Sequence, residues 1–141
     1  MSDAEPILTG MITHIYSVTV IVGDQDEAKK FYTETLGWEA REDTKMESMR
    51  WLTVSPPGAL TTVSLGLPGM YTPDDPSKDT PGGETGVALV CDDIDATYRE
   101  LSEKGVSFRG EPESMPWGDF ATWFKDPWGN EYFLSGGRGD Q

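Results

Sequence analysis

One histidine, one cysteine and a surplus of carboxylates are this chain's means of binding a metal or moving a proton: His14, Cys91, and 25 Asp and Glu residues against 11 Lys and Arg. A nucleophile needs a base beside it. With His14 the sole imidazole, a Ser/His or Cys/His pair has one possible base, and nothing near it in sequence suggests a partner. Cys91 stands just before Asp92 and Asp93, whose charge disfavours a thiolate, so it reads as a buried structural thiol. Gly58, Gly69, Gly82 and Gly83 come without the Lys and Ser/Thr of a phosphate loop, which leaves nucleotide binding without support.

What remains is aromatic and sulfur side chains: Met49, Trp51, Met115, Trp117, Trp123, Trp128 and Phe133. Core packing accounts for most of them. Five tryptophans in 141 residues is a heavy allotment, however, and Met115-Pro-Trp117-Gly reads as a loop where no core demands a ring. Flat walls with a few hydroxyls, here Ser17, Thr19 and Ser64, suit an apolar or planar ligand better than a hydrated anion. Asp119 and Glu131 are candidates for contact with a cationic group.

The formal charge of −14 repels a polyphosphate backbone and argues against nucleic acid as a partner. It equally suits a solubilising surface. No run of 18 apolar residues and no basic leader with an apolar core is present, so the expectation is a cytoplasmic protein with no membrane partner. A single cysteine excludes an internal disulfide.

These residues are positioned by a pattern written twice. Val18/Val87, Asp24/Asp93, Asp26/Asp95 and Glu34/Glu103 are each 69 positions apart, and Trp51 answers Trp123 at an offset of 72. A unit of about 55 residues cannot bury a full core alone, so the copies must pack together. In the first, an apolar β-branched strand from Met11 to Val22 leads to a helix capped by Asp24 or Asp26 and closed at Gly37. Strands at 38–40, 49–54 and 60–67 follow, with turns at Glu42-Asp43-Thr44 and Pro56-Pro57-Gly58. Residues 68–85 are rich in Pro and Gly and read as either a tether or a lid, with Met70-Tyr71 the one apolar pair able to close over a ligand. The second unit repeats the order: strand 86–91, helix 94–104 capped by Asp93 or Asp95, and strands near 106–109, 119–125 and 131–135. The single domain of residues 1–141 thus divides into βαβββ units at 11–67 and 86–135, between a polar lead-in and a flexible tail.

The Gly23-Asp24 helix entry, Phe31-Tyr32 before Leu36-Gly37-Trp38, Arg50-Trp51 before Pro56-Pro57-Gly58, and Asp126-Pro127-Trp128-Gly129-Asn130 together resemble the vicinal oxygen chelate superfamily. That superfamily includes glyoxalase I, extradiol dioxygenases and bleomycin resistance proteins, and the resemblance spans residues 11 to 135. It implies an α+β fold in which two tandem βαβββ units curl into a cup-shaped, partly open barrel holding a small molecule. It also implies a homodimer, as bleomycin-resistance-like members pair with the cup built across subunits.

Metalloenzymes of this superfamily take ligands from the first and last strand of each unit, positions that fall here on Ser17, Ser64, Gly86 and Phe133. None is His, Asp or Glu, so no metal or other cofactor is expected. A register error of a residue or two leaves His14 and Glu131 as substitutes, at best half a site, and strand alternation points His14 to the opposite face. The first expectation is therefore a metal-free binder, resembling the antibiotic-sequestering branch, with Ser17, Thr19, Trp51, Ser64, Trp117, Trp123 and Phe133 against the ligand. The alternatives are a lyase, isomerase or dioxygenase of the same superfamily and a sensor or subunit module.

Overall fold

The computed structural model describes residues 10–138. The lead-in as far as residue 9 and the end of the tail from 139, including part of its Arg-Gly-Asp tripeptide, lie outside the described residues. Among the described residues two sheets, each with one helix, share a single core, and no closed barrel forms.

In the first unit β1 (Ser17–Ile21) enters α1 (Gln25–Lys30), whose last turn widens over Phe31–Thr35 until Leu36 N–H reaches Phe31 O at 3.1 Å. Asp24 is the cap: its side chain accepts the Glu27 N–H at 2.9 Å, a bond of a kind contributing about 1 kcal/mol. The chain then forms β2 (Glu39–Lys45), β3 (Arg50–Ser55) and β4 (Thr62–Gly66), in the sheet order β1-β4-β3-β2. In the second unit β5 (Gly83–Cys91) leads to α2 (Ile94–Glu103), capped by Asp93 on the Ala96 N–H at 3.1 Å. Short β6 (Ser107–Phe108) and β7 (Glu113–Ser114) both pair with β8 (Phe120–Lys125), which pairs with β9 (Asn130–Gly136), beside β5.

Several boundaries differ from the expected ones. The first strand starts at Ser17, not Met11; Met11, Ile12 and Ile15 stand exposed outside any strand. The expected turn at Glu42-Asp43-Thr44 is the middle of β2, which pairs with β3 as far as Lys45↔Arg50. This edge strand lacks apolar alternation and is held from its helix side instead, where Asp43 takes the Arg50 guanidinium on both oxygens (2.8 and 2.9 Å) and Lys29 of α1 at 2.8 Å. The connection is shorter than 68–85, because β4 ends at Gly66 and β5 begins at Gly83.

That connection is fastened down. Asp79 accepts the Tyr71 and Thr72 N–H groups and the Thr72 hydroxyl at 2.7–3.0 Å, closing residues 71–79 into a loop. The loop lays Met70 and Tyr71 across Gly66, where a Cβ would stand 2.9 Å from the Tyr71 ring, so only a glycine admits this contact.

The core lies between the helix-covered faces of the sheets, with Val20, Leu52, Val54 and Leu65 of one meeting Phe124, Tyr132 and Leu134 of the other. At the junction the buried Tyr32 hydroxyl donates to Asp126 at 2.7 Å and meets the Tyr132 hydroxyl at 2.8 Å. Asn130 completes the seam with bonds to Asp126 and to the Ile21 carbonyl, each 2.8 Å.

Candidate functional site

Strand alternation sends every second residue away from the shared core, and on each sheet these residues line up as a row across four strands. In the first unit the register Thr19↔Ser64, Thr53↔Ser64 and Glu42↔Thr53 makes the row Thr19, Ser64, Thr53, Glu42. A bulge at Arg41 brings Arg41 and Glu42 together at the end of the row. In the second unit Ala88↔Phe133 and Trp123↔Phe133, with the Arg109 N–H on the Trp123 carbonyl at 2.7 Å, make the row Ala88, Phe133, Trp123, Arg109. Corresponding faces of the repeat thus carry opposite chemistry, hydroxyls ending in a carboxylate against apolar rings ending in a guanidinium.

On the hydroxyl face, Ser64 is buried and meets the Tyr71 hydroxyl at 3.0 Å, while the Ser17 hydroxyl is buried with no hydrogen-bond partner among the described residues. Thr19 is exposed. Trp51 is half-buried, stacked on Tyr16 with centroids 6.3 Å apart and planes 25° from parallel. Its indole N–H donates to Glu42 at 3.0 Å, beside the Tyr16 hydroxyl at 2.6 Å and Thr53 at 3.4 Å. The Tyr16 hydrogen bond, then that of Trp51, holds the Glu42 carboxyl below its ordinary pKa, so it is ionised at neutral pH.

On the aromatic face, Trp123 and Phe133 meet edge to face at 4.9 Å, and Trp117 approaches Phe133 at 6.3 Å. Trp117 does lie in a loop, the tight turn between β7 and β8, and is 62% exposed. A groove of about 210 Å³ opens here, lined by Glu84, Gly86, Val87, Ala88, Trp123, Glu131 and Phe133. Glu131 is not free for a cationic ligand: Arg109 binds its oxygens at 2.6 and 3.2 Å and lies over the Trp123 ring at 4.5 Å.

The structure therefore gathers the seven expected site residues into two groups. Ser17, Thr19, Trp51 and Ser64 share one sheet, Trp123 and Phe133 belong to the other with Trp117 in its β7–β8 turn, and among the described residues no strand of one sheet pairs with the other. Sequence reasoning missed Glu42, Arg109 and Tyr16. Glu42 was hidden in the supposed turn, whereas Arg109 ends an expected strand and could have been read as facing Trp123.

A model of the glyoxalase/bleomycin resistance protein/dioxygenase superfamily matches residues 13–132. The chain belongs to that superfamily. The uncharacterized protein YetH of Bacillus subtilis (strain 168) is 37% identical over 125 residues, covering 88% of this chain and 98% of the relative. A superfamily member from Sphaerobacter thermophilus DSM 20745 has a crystal structure that superposes with a TM-score of 0.83 at 49% identity, over 89% of this chain and 98% of that one. TnmS3, described as an antibiotic binding protein from Streptomyces sp. CB03234, superposes at 0.77 with 36% identity, over 89% and 97%.

The superfamily's metal positions do not fit a metal here. Ser17 and Ser64 offer neutral hydroxyls, Phe133 a ring engaged with Trp123, and Gly86 nothing; Gly86 sits at a break in the β5 register with φ of +79°, a conformation that would strain any ligating side chain. His14 is exposed beside Thr13, and among the described residues no three His, Cys, Asp or Glu side chains converge. Cys91 is half-buried, and burial first, then Asp92 and Asp93, pushes its thiol pKa up.

Proposed function

We propose that this chain binds and sequesters an organic small molecule bearing a planar aromatic ring system, without a metal and without transforming it. The observation that carries this reading is the aromatic face of the second unit, where Trp123 and Phe133 line a groove, exposed Trp117 lies 6.3 Å from Phe133, and the Glu131 of the lining is already paired with Arg109. Rings can stack there, whereas an acid–base pair poised for chemistry is missing from the groove. The description of TnmS3 as an antibiotic binding protein supports a binder over an enzyme.

In the same reading a second copy completes the site, bringing the hydroxyl face of one chain opposite the aromatic face of the other. Support comes from β1 and β5, both edges of their sheets, and from the apolar groups left near them: Ile15 is 66% and Val90 83% exposed.

The test is native mass spectrometry of the purified protein for a retained organic ligand, with elemental analysis after incubation with nickel, zinc, manganese and iron. A screen of planar cationic and neutral drugs should give hits that quench tryptophan fluorescence. One equivalent of metal that survives dialysis and is lost in His14→Ala would replace the binder by a metalloenzyme.

A further inference from the structure

The hydroxyl row ends in a carboxylate whose two oxygens are treated differently. Tyr16 Oη, Trp51 Nε1 and Thr53 Oγ1 all donate to Oε1 of Glu42. Among the described residues none bonds Oε2, and no Lys, Arg or His pairs with Glu42. The contrast with its neighbours is sharp, because Glu131 has both oxygens on Arg109 and Asp43 both on Arg50. Three neutral donors orient the Glu42 carboxylate, while Arg41, beside it at the bulge, acts on it through space but spends its own hydrogen bonds on Ser55 and the Ala59 carbonyl; an ionised carboxylate accepts but cannot donate.

We propose that Glu42 is a charged anchor of the ligand site, its Oε2 taking the N–H of a protonated aliphatic amine carried by the bound molecule. The inference rests on the binder reading above and specifies its substrate class: a planar ring system for the Trp123 face and an ammonium for the Glu42 face. The stacked rings of Tyr16 and Trp51, whose polar edges already touch the carboxylate, give the ammonium aromatic surface to lie against. An N⁺–H to carboxylate bond is among the stronger ones available to a protein, and Glu42 supplies it without first breaking an ion pair. A general base is the poorer assignment, since a carboxyl held ionised by its donors takes up a proton reluctantly.

The experiment titrates the full chain with two probes at pH 8: an acridine bearing a dimethylaminopropyl chain, and the same acridine with an uncharged isopentyl chain. Glu42→Gln should weaken the amine probe tenfold or more and the neutral probe less than twofold, with an unchanged thermal midpoint. Glu42→Asp, which keeps the charge but draws it back by one methylene, should weaken the amine probe alone to an intermediate degree; it also serves if the Gln variant fails to fold. Equal weakening of both probes, or of neither, would overturn the anchor. Equal affinity of the two probes for the unaltered protein would also remove the anchor while leaving the aromatic binder standing, whereas no binding of either probe at millimolar concentration would sink both.

Discussion

At the scale of single residues, the tryptophans divide into those the fold needs and those it does not. Trp117 is 62% exposed at a turn, so Trp117→Ala should change stability by no more than about 0.5 kcal/mol. The same change should cost a stacked ligand roughly tenfold in affinity, about 1.4 kcal/mol. Trp123, packed on Phe133 beneath Arg109, should cost about 2–3 kcal/mol of stability as well when truncated. Thermal melts alongside fluorescence titrations separate the two, and a destabilised Trp117→Ala with intact affinity would make that ring structural. A different residue-level dependence attaches to Asp43, whose carboxyl is held well below its ordinary pKa by hydrogen bonds from Arg50 and Lys29. A depressed folded-state pKa means the contribution is present in full above the unfolded value and is lost progressively as pH falls from there through the folded value. Asp43→Asn should therefore lower the thermal midpoint by about 3 °C at pH 7, and the gap should narrow towards pH 2.

At the scale of elements, legibility follows apolar periodicity. Both helices, their capping by an aspartate and the order of the strands can be read because each occurs twice in matching chemistry, whereas the choice of Asp24 over Asp26 and of Asp93 over Asp95 comes from the structure. The helix-covered strands also alternate as buried strands must. The strand β2 cannot be read this way: Glu39-Ala-Arg-Glu-Asp-Thr-Lys45 is an exposed edge held by ion pairs and a bulge, and neither leaves a periodic signal. Glu42 was lost with it, whereas Trp117, Trp123 and Phe133 were visible because an excess of large rings declares itself in composition. The connection between the units was illegible for another reason, since its order comes from one carboxylate, Asp79, folding back on residues 71 and 72. This loop gives an element-level prediction. Gly66→Ala places a Cβ where the Tyr71 ring lies and should displace it, speeding tryptic cleavage after Lys78 severalfold while the thermal midpoint moves little. Unchanged cleavage would mean that the fastening at Asp79 alone holds the loop.

At the scale of the whole molecule, two half-sites on separate sheets and a pair of apolar-bordered strand edges predict a dimer with two equivalent sites. Light scattering at micromolar concentration should give twice the 15.5 kDa mass of the chain. A monomer value, together with undiminished ligand binding, would confine the site to one chain. The seam at Asp126 bears on how the halves live together. Its carboxylate gathers Tyr32 from the first unit and Asn130 from its own, and Asn130 reaches across to Ile21, so contacts about a hundred residues apart in sequence meet in one buried spot. Apart, the first half would leave the Tyr32 hydroxyl and the Ile21 carbonyl without these partners, and the second would lose the Tyr32 donor from a buried carboxylate that keeps only its own Trp128 and Asn130 donors; unsatisfied buried polar groups are costly. The two repeats should accordingly melt in a single cooperative transition, and either half expressed by itself should behave as an unfolded chain. The refolding rate should be governed by the search that brings this last corner back to the first helix.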